Sequence, residues 1–355
     1  MKPLADAQRR VLEAMAPLPA AAVPLAEARG LVLAEPIDAP HDVPPFANAA
    51  MDGFALRAAD TMDAPVTLEI LEDVPAGSVP TLLVGPGGAT RIMTGAPMPK
   101  GADAVVMVEE TSSAGDRVTV SSPVEQGTSV RLAGSDVAAG RRVFEAGTRL
   151  GPTHLGLLAG LGITAPVVHR RPRVAVLSTG DEVMPLDTVD LPRGSIRDAN
   201  RPLLAALAAE AGAAVIDYGI VPDDADLLRR TVRRAAAHGD AILTSGGVSM
   251  GDYDLVKQVL GETGSIEFWR VAMQPAKPFA FGLLDGTPLF GLPGNPVSVM
   301  VAFEQFVRPA LLVRMGSPTP FRPRIRGILD HAVETDPEKT VFLRVTARHR
   351  DGRWH

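Results

Sequence analysis

The chain has 355 residues, of which 46% are hydrophobic and 21% charged, as in a soluble globular protein of two to four domains. Its net charge of −6 argues against broad nucleic-acid binding, because that activity needs a basic surface. The absence of cysteine excludes disulfides, thiolate metal sites and thiol nucleophiles.

The N-terminal portion is rich in Pro, Gly and Ala. Residues 1–17 are predicted to form an amphipathic helix without the apolar stretch of a signal peptide, and residues 41–56 a loop punctuated by prolines and glycine. No window approaches the length of a membrane span. We therefore expect a cytoplasmic protein without a membrane partner.

Four short apolar runs follow between residues 66 and 120. They are VTLEIL, ATRIMTG, ADAVVMVE and DRVTVS, and Gly and Pro turns separate them. This spacing predicts a small β-barrel or sandwich. Residues 134–163 then predict a strand, a turn and a short helix.

From Arg173 onward, strands and helices alternate. The strand RVAVLSTG, the helix at 201–212 and similar pairs after it predict a doubly wound, mostly parallel sheet. Asp285-Gly286 predicts the turn of a hairpin, and Asn295-Pro296 the start of a long apolar helix. Residues 317–355 contain a linker and strand-like runs, RPRIRGIL and TVFLRVTARHR, which suggest an incomplete domain.

Acidic residues follow three of the predicted parallel strands, where ligands of open α/β sheets bind. Up to six carboxylates could gather there: Asp181, Glu182, Asp223, Asp224, Asp252 and Asp254. Gly246-Gly247 and the GLPGNP loop place glycine turns and helix starts beside them, and backbone N–H groups in such turns attract oxyanions. Because carboxylates repel a phosphate unless a cation lies between them, the pattern predicts Mg²⁺ and a phosphorylated substrate.

Simpler interpretations compete with this one. Asp224 could cap the helix that follows, and Asp181 could be a turn residue. Residues 247–251 match the G-x-S-x-G elbow of hydrolases, with Ser249 as the nucleophile. The histidines after Ser249 lie only in the C-terminal tail, at 331, 349 and 355, which makes a hydrolase the weaker hypothesis.

The sequence resembles the molybdopterin molybdenumtransferase family, the molybdenum insertases of molybdenum-cofactor biosynthesis, which includes the E domain of gephyrin. The resemblance runs from residue 1 to the end. Its motifs are PPFANAAMDGFALRAAD, RIMTGAPMPKGADAVVMVEE, VRLAGSDVAAG, VAVLSTGDEV, IRDANRPLL, LTSGGVSMGDYD, MQPAKPFAFG and LFGLPGNPVSVMVAFEQF. It implies insertion of molybdate into adenylated molybdopterin, with Mg²⁺ and release of AMP.

The resemblance also implies the site residues and the assembly. The acidic catalytic positions are Glu182, Asp223, Asp254, Asp52 and Asp136, of which the first three are the candidate metal ligands. The substrate-binding positions are Thr94, Arg131, Ser245, Gly246, Gly247, Ser249, Arg270, Lys277, Pro293, Gly294, Asn295 and Pro296. Which carboxylate touches the metal and which orients water stays open. The family forms homodimers with the active cleft between subunits, and a molybdopterin adenylyltransferase is a further expected partner.

The expected fold is a multidomain α/β protein. An elongated N-terminal domain (1–45 with 139–168) carries a small β domain (46–138), followed by the α/β molybdopterin-binding domain (169–316) and an incomplete C-terminal β domain (317–355). Gln274 stands where a lysine is common in the family. Two alternative functions remain: a molybdopterin adenylyltransferase, and a non-catalytic scaffold like the gephyrin E domain.

Overall fold

The computed structural model describes residues 1–246, 261 and 265–355, without the side chain of Phe268. The chain forms two compact units. The first unit comprises Met1–Glu35, Ala146–Leu155 and Ala165–His355, and the second comprises Pro36–Glu145 and Gly156–Thr164. The four-part division expected from the sequence is finer than these two units and stays a prediction.

The described residues contain short strands throughout both units. Up to residue 145 the strands are β1 Ala20–Ala22, β2 Val32–Leu33, β3 Ile37–Asp38, β4 Asn48–Ala49, β5 Gly53–Leu56, β6 Val66–Val74, β7 Gly88–Ile92, β8 Ala104–Met107, β9 Thr111–Ala114, β10 Arg117–Val120, β11 Val130–Arg131 and β12 Arg142–Phe144. Beyond it they are β13 Val167–His169, β14 Arg173–Thr179, β15 Val183–Met184, β16 Ile196–Arg197, β17 Ala214–Val221, β18 Ala241–Ser245, β19 Ser265–Arg270, β20 Met273–Gln274, β21 Pro278–Leu284, β22 Thr287–Leu292, β23 Thr340–Val341, β24 His349–Arg350 and β25 Arg353–Trp354.

The helices lie mostly in the first unit. The α-helices are α1 Leu4–Glu13, α2 Pro152–Gly160, α3 Asn200–Glu210, α4 Ala225–His238, α5 Pro296–Ala302 and α6 Arg308–Arg314. A π-helical turn, Phe303–Val307, joins α5 to α6, and 3₁₀ turns occur at Leu25–Glu27, Ala58–Thr61 and Val108–Glu110. The third helix of the strand–helix alternation, predicted from YDLVKQVLGETG at 253–264, lies outside the described residues except for residue 261.

A six-stranded sheet organises the first unit, in the order β17-β14-β18-β22-β21-β19. The first four strands are parallel, and β21 and β19 continue the sheet antiparallel. Alternate residues of β14 enter two cores: Val174 and Val176 pack with α1, α3, α5 and α6, while Ala175 and Leu177 pack with α4. Burial on both faces explains why these strands are continuous apolar runs. The predicted mixed α/β fold is confirmed.

The predicted hairpin turn at Asp285-Gly286 joins β21 to β22. Both residues have positive φ, 49° and 81°. This is the backbone of a two-residue turn whose twist matches that of the flanking strands, and glycine adopts it without steric cost. The turn places β22 next to β18, so that the carboxyl end of β22 reaches the same sheet edge as the end of β18.

The apolar helical stretch Pro296–Arg314 is long enough, and apolar enough in composition, to cross a membrane. The statement that no window reaches this length was therefore wrong. Half of the stretch is buried inside the structure, where Phe303, Phe306 and Leu311 belong to the main core. Phe306 stacks on Phe279 of β21 with ring centroids 4.3 Å apart. These contacts are those of a core helix packed on a sheet.

The second unit contains a six-stranded sheet of its own, in the order β8-β5-β7-β6-β10-β9. The predicted strands at 66–120 are confirmed. The loop predicted at 41–56 was wrong at Asn48–Ala49, which pairs with β11, and at Gly53–Leu56, which forms the strand between β8 and β7. A Cβ atom on Gly53 would lie 1.9 Å from the carbonyl oxygen of Val106. The glycine that suggested a loop is therefore required by close strand packing.

The C-terminal segment forms fewer strands than predicted. The expected strand at 322–329 was wrong, and within the described residues the segment contributes only β23, which pairs with β20, and the short hairpin β24–β25. Ile325 and Leu329 remain 65% and 64% exposed. An alternating pattern forms a strand only where a neighbour accepts its backbone hydrogen bonds and a layer buries its apolar face.

A nearly buried carboxylate ties β14 and β18 together at their amino ends. The side chain of Asp240 is 7% exposed and receives hydrogen bonds from Arg170 Nη1 and Nη2 at 2.6 and 2.7 Å and from the Arg173 amide at 2.7 Å. Burial by itself would raise the pKa of this carboxyl, but the hydrogen bonds from Arg170 and Arg173 outweigh burial and lower the pKa to about 2.

The Asp240 cluster predicts an acid-sensitive part of the folding free energy. Because the folded-state pKa lies below the unfolded value of about 3.9, the contribution of about 2 kcal/mol is present above pH 4 and disappears as pH falls through 2. About half of it is lost by pH 3. The difference in unfolding free energy between wild type and Asp240→Asn, from urea titrations at pH 6, 4 and 3, should shrink accordingly. A constant difference would contradict the assignment.

Candidate functional site

An open cavity of about 430 Å³ lies at the carboxyl ends of β14, β18 and β22. Its position follows from the parallel pairing of these strands, which brings their last residues to one edge. The lining residues are Ser178, Thr179, Glu182, Val183, Ile196, Arg197, Asp198, Ala199, Asn200, Ser245, Gly246, Gly294 and Pro296. Five of the predicted site residues, Glu182, Ser245, Gly246, Gly294 and Pro296, are thus brought together.

The four described carboxylates predicted to gather at this edge play different roles. Asp224 Oδ1 accepts the Leu227 amide at 2.7 Å and caps α4, and Asp181 Oδ1 accepts the Asp223 amide at 3.0 Å. These two residues therefore follow the simpler cap and turn interpretations. Glu182 lines the cavity and is exposed, and no described residue gives its carboxylate a hydrogen bond or an ion pair.

A complete metal centre is not assembled by the described residues alone. Among residues 1–246, 261 and 265–355, no group of three His, Asp or Glu side chains could hold a metal ion. The third predicted ligand, Asp254, lies outside the described residues, as do Asp252, Gly247 and Ser249. The donor chemistry of Glu182 and Asp223, two carboxylates exposed at the sheet edge, suits a hard cation such as Mg²⁺.

Beneath the cavity lies a buried polar network that the sequence interpretation missed. Asp198 is 2% exposed, and its carboxylate accepts hydrogen bonds from Ser178 Oγ at 2.8 Å, from the Arg201 amide at 3.1 Å and from Arg201 Nε at 2.7 Å. Arg201 also pairs with Asp217 of β17. The network joins the end of β14 to the first turn of α3, whose amide at Arg201 it satisfies.

Asn200 connects the same helix start to the loop after β22. Its Nδ2 donates to the Gly294 carbonyl oxygen at 2.6 Å, which identifies the amide nitrogen, since a carbonyl can only accept. Its Oδ1 is buried and has no hydrogen-bond partner within the described part of the chain. The motif IRDANRPLL contained both Asp198 and Asn200, and their position just before an apolar helix was the signal that could have identified them.

The GLPGNP loop is held in place by its own side chains. Asn295 Oδ1 accepts the amides of Val297 at 3.0 Å and Ser298 at 3.4 Å, and Pro296 has no N–H. The predicted helix start is confirmed, but its first donors are already occupied by the cap. The Pro293 carbonyl in turn accepts Ser245 Oγ at 3.4 Å, which links the loop to β18.

Gly246 marks the turn at which β18 ends. Its φ is +96°, and a Cβ atom there would lie 2.7 Å from the Thr179 carbonyl oxygen. Only glycine fits this combination of positive φ and close backbone approach. The residue keeps the edge of the sheet open beside the cavity.

Arg270 and Lys277 lie on the two arms of a tight loop between β19 and β21. The Val271 amide donates to the Lys277 carbonyl at 2.8 Å, and the Lys2 amide donates to the Arg270 carbonyl at 2.8 Å. Neither cation lines the cavity. Gln274, at the tip of the same loop, is exposed, and its carbonyl accepts the Phe342 amide at 2.7 Å.

The remaining predicted residues form two hydrogen-bonded pairs within the second unit. Asp52 Oδ1 accepts the Thr94 hydroxyl at 2.6 Å and the Thr94 amide at 2.7 Å. The hydroxyl hydrogen bond, followed by the amide, holds the pKa of Asp52 below its usual value. Arg131 Nη2 donates to Asp136 at 2.7 Å. Each of the four side chains therefore has a hydrogen-bond partner within the second unit.

The fold and the cavity define a mixed α/β protein with an open hollow at the carboxyl ends of parallel strands, where proteins of this class bind small ligands. Two family models match the chain. They are the MoeA N-terminal region (domain I and II) over residues 2–162 and the probable molybdopterin binding domain over residues 175–313.

Curated relatives and solved structures agree with these matches. The chain is 42% identical to molybdopterin molybdenumtransferase 2 of Mycobacterium tuberculosis over 99% of this chain and 89% of that protein. It is 41% identical to the molybdopterin molybdenumtransferase of Nostoc sp. over 90% of this chain and 76% of that protein. The crystal structure of the molybdopterin biosynthesis moeA protein from Pyrococcus horikoshii OT3 superposes with a TM-score of 0.85 at 31% identity, covering 100% of this chain and 89% of the other. The chain belongs to the molybdopterin molybdenumtransferase family.

The Asp52–Thr94 pair gives a testable consequence for ionisation. Replacing Thr94 by Val removes the hydroxyl donor but keeps the amide, so the pKa of Asp52 should rise toward its ordinary value. Carboxyl-carbon NMR titration of wild type and Thr94→Val measures it, and Thr111→Val, a change that leaves Thr94 in place, is the control. An unchanged Asp52 titration would show that the hydroxyl does not donate to this carboxylate.

Proposed function

We propose that this protein is a molybdopterin molybdenumtransferase, an enzyme of molybdenum cofactor biosynthesis. The observation that carries the proposal is 42% identity to a protein of that name over 99% of the chain. The cavity at the sheet edge supports it, since it lies within the region that matches the molybdopterin binding domain.

The finer reaction in this proposal inserts molybdate into adenylated molybdopterin and releases AMP. Glu182, Asp223 and Asp254 would hold Mg²⁺, and the ion would offset the charge of the substrate phosphates. Glu182 supports this role because it is exposed at the cavity and no described residue hydrogen-bonds its carboxylate. The AMP-releasing step needs a water molecule at the phosphate, and a carboxylate of this set would orient it.

Cationic side chains would bind the anionic parts of the substrates. Arg270 and Lys277 share one short loop, and Lys277 lies close enough to Asp336 to help lower the pKa of that carboxyl. Such a loop attracts an oxyanion such as molybdate or a phosphate. Gln274 contributes no charge at the tip of that loop, so we assign the oxyanion to the two flanking cations.

The assembly proposed is a homodimer with the active cleft between subunits. Asp52, Thr94, Arg131 and Asp136 support it because they form two exposed hydrogen-bonded pairs in the second unit. One copy would present these pairs to the substrate held by the sheet of its partner. A cytoplasmic location and a molybdopterin adenylyltransferase as donor of the adenylated substrate belong to the same proposal.

Two parallel reactions separate the two alternatives. In the first, the protein is mixed with adenylated molybdopterin, Mg²⁺ and molybdate, and AMP release is measured; in the second, it is mixed with molybdopterin, ATP and Mg²⁺, and ATP consumption is measured. A molybdenumtransferase releases AMP only when molybdate is present, an adenylyltransferase consumes ATP and molybdopterin instead, and a scaffold without catalysis does neither. The absence of molybdate-dependent AMP release would contradict the proposed function.

A substitution at the cavity tests the acidic site. Glu182→Gln keeps the size of the side chain but removes its charge, so we expect molybdate-dependent AMP release to fall roughly a hundredfold or more. Asp190→Asn is the matched control, because Asp190 is an exposed acid in the same connection between β14 and α3 as Glu182 and does not line the cavity. If both variants kept wild-type turnover with unchanged thermal unfolding, Glu182 would have no role in the reaction.

A further inference from the structure

Two arginines meet at the amino edge of the large sheet, the edge opposite to the cavity. Arg171 lies just before β14, and Gly212 lies just before β17, so both mark the level at which these parallel strands begin. Arg171 Nη1 donates to the Gly212 carbonyl at 3.4 Å, and a Cβ atom on Gly212 would lie 3.7 Å from Arg149 Nη2. Two guanidinium groups therefore reach the same end of the sheet, in a protein whose net charge is −6.

The two guanidinium groups converge on the turn at Gly30. A Cβ atom there would lie 3.9 Å from Arg149 Nη2 and 3.9 Å from Arg171 Nη2, so the two nitrogen atoms are no farther apart than twice that distance. Hydrogen bonds of about 2.8 Å to two oxygen atoms of one tetrahedral anion bridge a gap of this size. Residue 30 has a φ of +79°, which favours glycine and leaves no side chain beside the two groups.

Hydrogen bonds to backbone carbonyls hold both side chains. Arg149 Nε donates to the Gly30 carbonyl at 3.3 Å, and Arg171 Nη2 donates to the Arg29 carbonyl at 2.8 Å. These carbonyls are neutral, and neither arginine forms an ion pair with a carboxylate in the described part of the chain. Since a guanidinium carries five N–H donors, donors remain on both exposed side chains for a ligand.

Two glutamates near these arginines already have a partner. Glu304 accepts two hydrogen bonds of 2.8 Å from Arg322, and Glu210 lies 3.6 Å from the same guanidinium. Burial, and then the charges of Arg322 and Arg149, lower the pKa of Arg308, although both glutamates oppose this effect. Arg149 and Arg308 thus repel each other, and an anion beside Arg149 would relieve the repulsion.

The arginines next to Arg171 in the sequence show the contrasting case. Arg170 Nη1 and Arg173 Nε both hydrogen-bond the carboxylate of Asp240, at 2.6 and 3.4 Å. Arg171 is directed to backbone carbonyls instead and has no carboxylate partner of this kind among the described residues. The chain therefore supplies a carboxylate for two of these three arginines and leaves the third available to an anion from solution.

We infer that Arg149 and Arg171 form a binding site for a tetrahedral oxyanion, such as a phosphate group, at the amino edge of the sheet. Guanidinium groups present planar forks of N–H donors that match two oxygen atoms of such an anion. The site is separate from the cavity, because the seven residues of β14 lie between the two edges and span about 20 Å. The inference does not depend on the proposed function, since no residue of the acidic site takes part in it.

Inorganic phosphate is the first probe of this site. Its binding to the wild-type protein is measured by isothermal titration calorimetry at constant ionic strength, with chloride as the blank. Arg149→Gln and Arg171→Gln each remove one guanidinium and should weaken binding roughly tenfold, as expected for the loss of charge-assisted hydrogen bonds. Arg233→Gln is the matched control and should bind like wild type, because Arg233 is an exposed arginine of α4, which packs on the other face of the sheet from α3.

A second probe separates two sources of the same chemistry. AMP carries its phosphate on a nucleoside, and its binding is measured in the same way with the same variants. If phosphate binds at least as tightly as AMP, the site takes the free oxyanion. If AMP binds more tightly and loses that advantage in Arg149→Gln, the site takes a phosphomonoester.

Conservative variants guard against loss of the fold. Thermal unfolding of every variant is recorded, and Arg149→Lys and Arg171→Lys replace any glutamine variant that does not fold. Both lysine variants keep the positive charge but lose the planar fork, so they should bind phosphate more weakly than wild type and more tightly than the glutamine variants.

The inference is overturned if the wild-type protein binds neither probe at millimolar concentration, or if Arg149→Gln and Arg171→Gln bind both probes as tightly as wild type. Arg270→Gln provides a further check, because the loop between β19 and β21 is also cationic. Binding that is lost in Arg270→Gln and kept in Arg149→Gln would place the anion at that loop and overturn the assignment. Molybdate-dependent AMP release, which tests the proposed function, is measured separately from all of these outcomes.

Discussion

The parallel register of three strands is the constraint on which the site depends. Ser178 of β14 lies opposite Ser245 of β18, and Ser245 lies opposite Leu292 of β22. The three strands therefore end at one level, and every loop that follows them begins at the same edge of the sheet. Burial on both faces holds this register, because a slip of one residue would exchange the residues of β14 that face α3 with those that face α4.

Burying a charge at that edge costs desolvation free energy, and the strand register does not explain why the charge is there. The Asp198 side chain is 1% exposed and that of Arg201 18%, and such largely buried pairs seldom stabilise a fold more than apolar residues of equal size would. Their geometry, however, fixes the direction of the Ser178 hydrogen bond and supplies the missing acceptor at the start of α3. A polar network of this kind is better explained by the precision that it gives to the cavity wall than by stability.

Local signals predicted local structure well. Asn295 and Asp224 were recognisable as helix caps, and Asp285-Gly286 as a hairpin turn, because in each case the residue's own side chain or backbone preference decides the geometry. The Ser178–Asp198 contact was not recognisable, since it joins residues 20 positions apart whose meeting depends on how α3 packs against β14. For the same reason Gly53 suggested a loop, although the close approach of Val106 makes glycine the strand residue required there.

In the C-terminal segment the opposite happens: a local sequence pattern suggests a strand at 322–329, but no neighbouring strand among the described residues pairs with it. Polar and apolar side chains alternate over residues 322–326, yet residues 322–329 form no strand. The Ile328 amide donates to the Trp354 carbonyl at 2.8 Å within the same segment, and the Arg322 guanidinium bonds Glu304 of the π-helical turn. β23 does form a strand nearby, because it pairs with β20, which lies in the loop that carries Arg270 and Lys277.

Charge and hydrogen-bond polarity thus divide the described part of the first unit into two kinds of surface. At the cavity wall the hydroxyl proton of Ser178 and the amide nitrogen of Asn200 are directed into the protein, while the loop between β19 and β21 carries two cations, of which Lys277 lies near Asp336. Fixed polarity of this kind discriminates by leaving the wrong ligand's groups unsatisfied, which costs more than the right contacts gain.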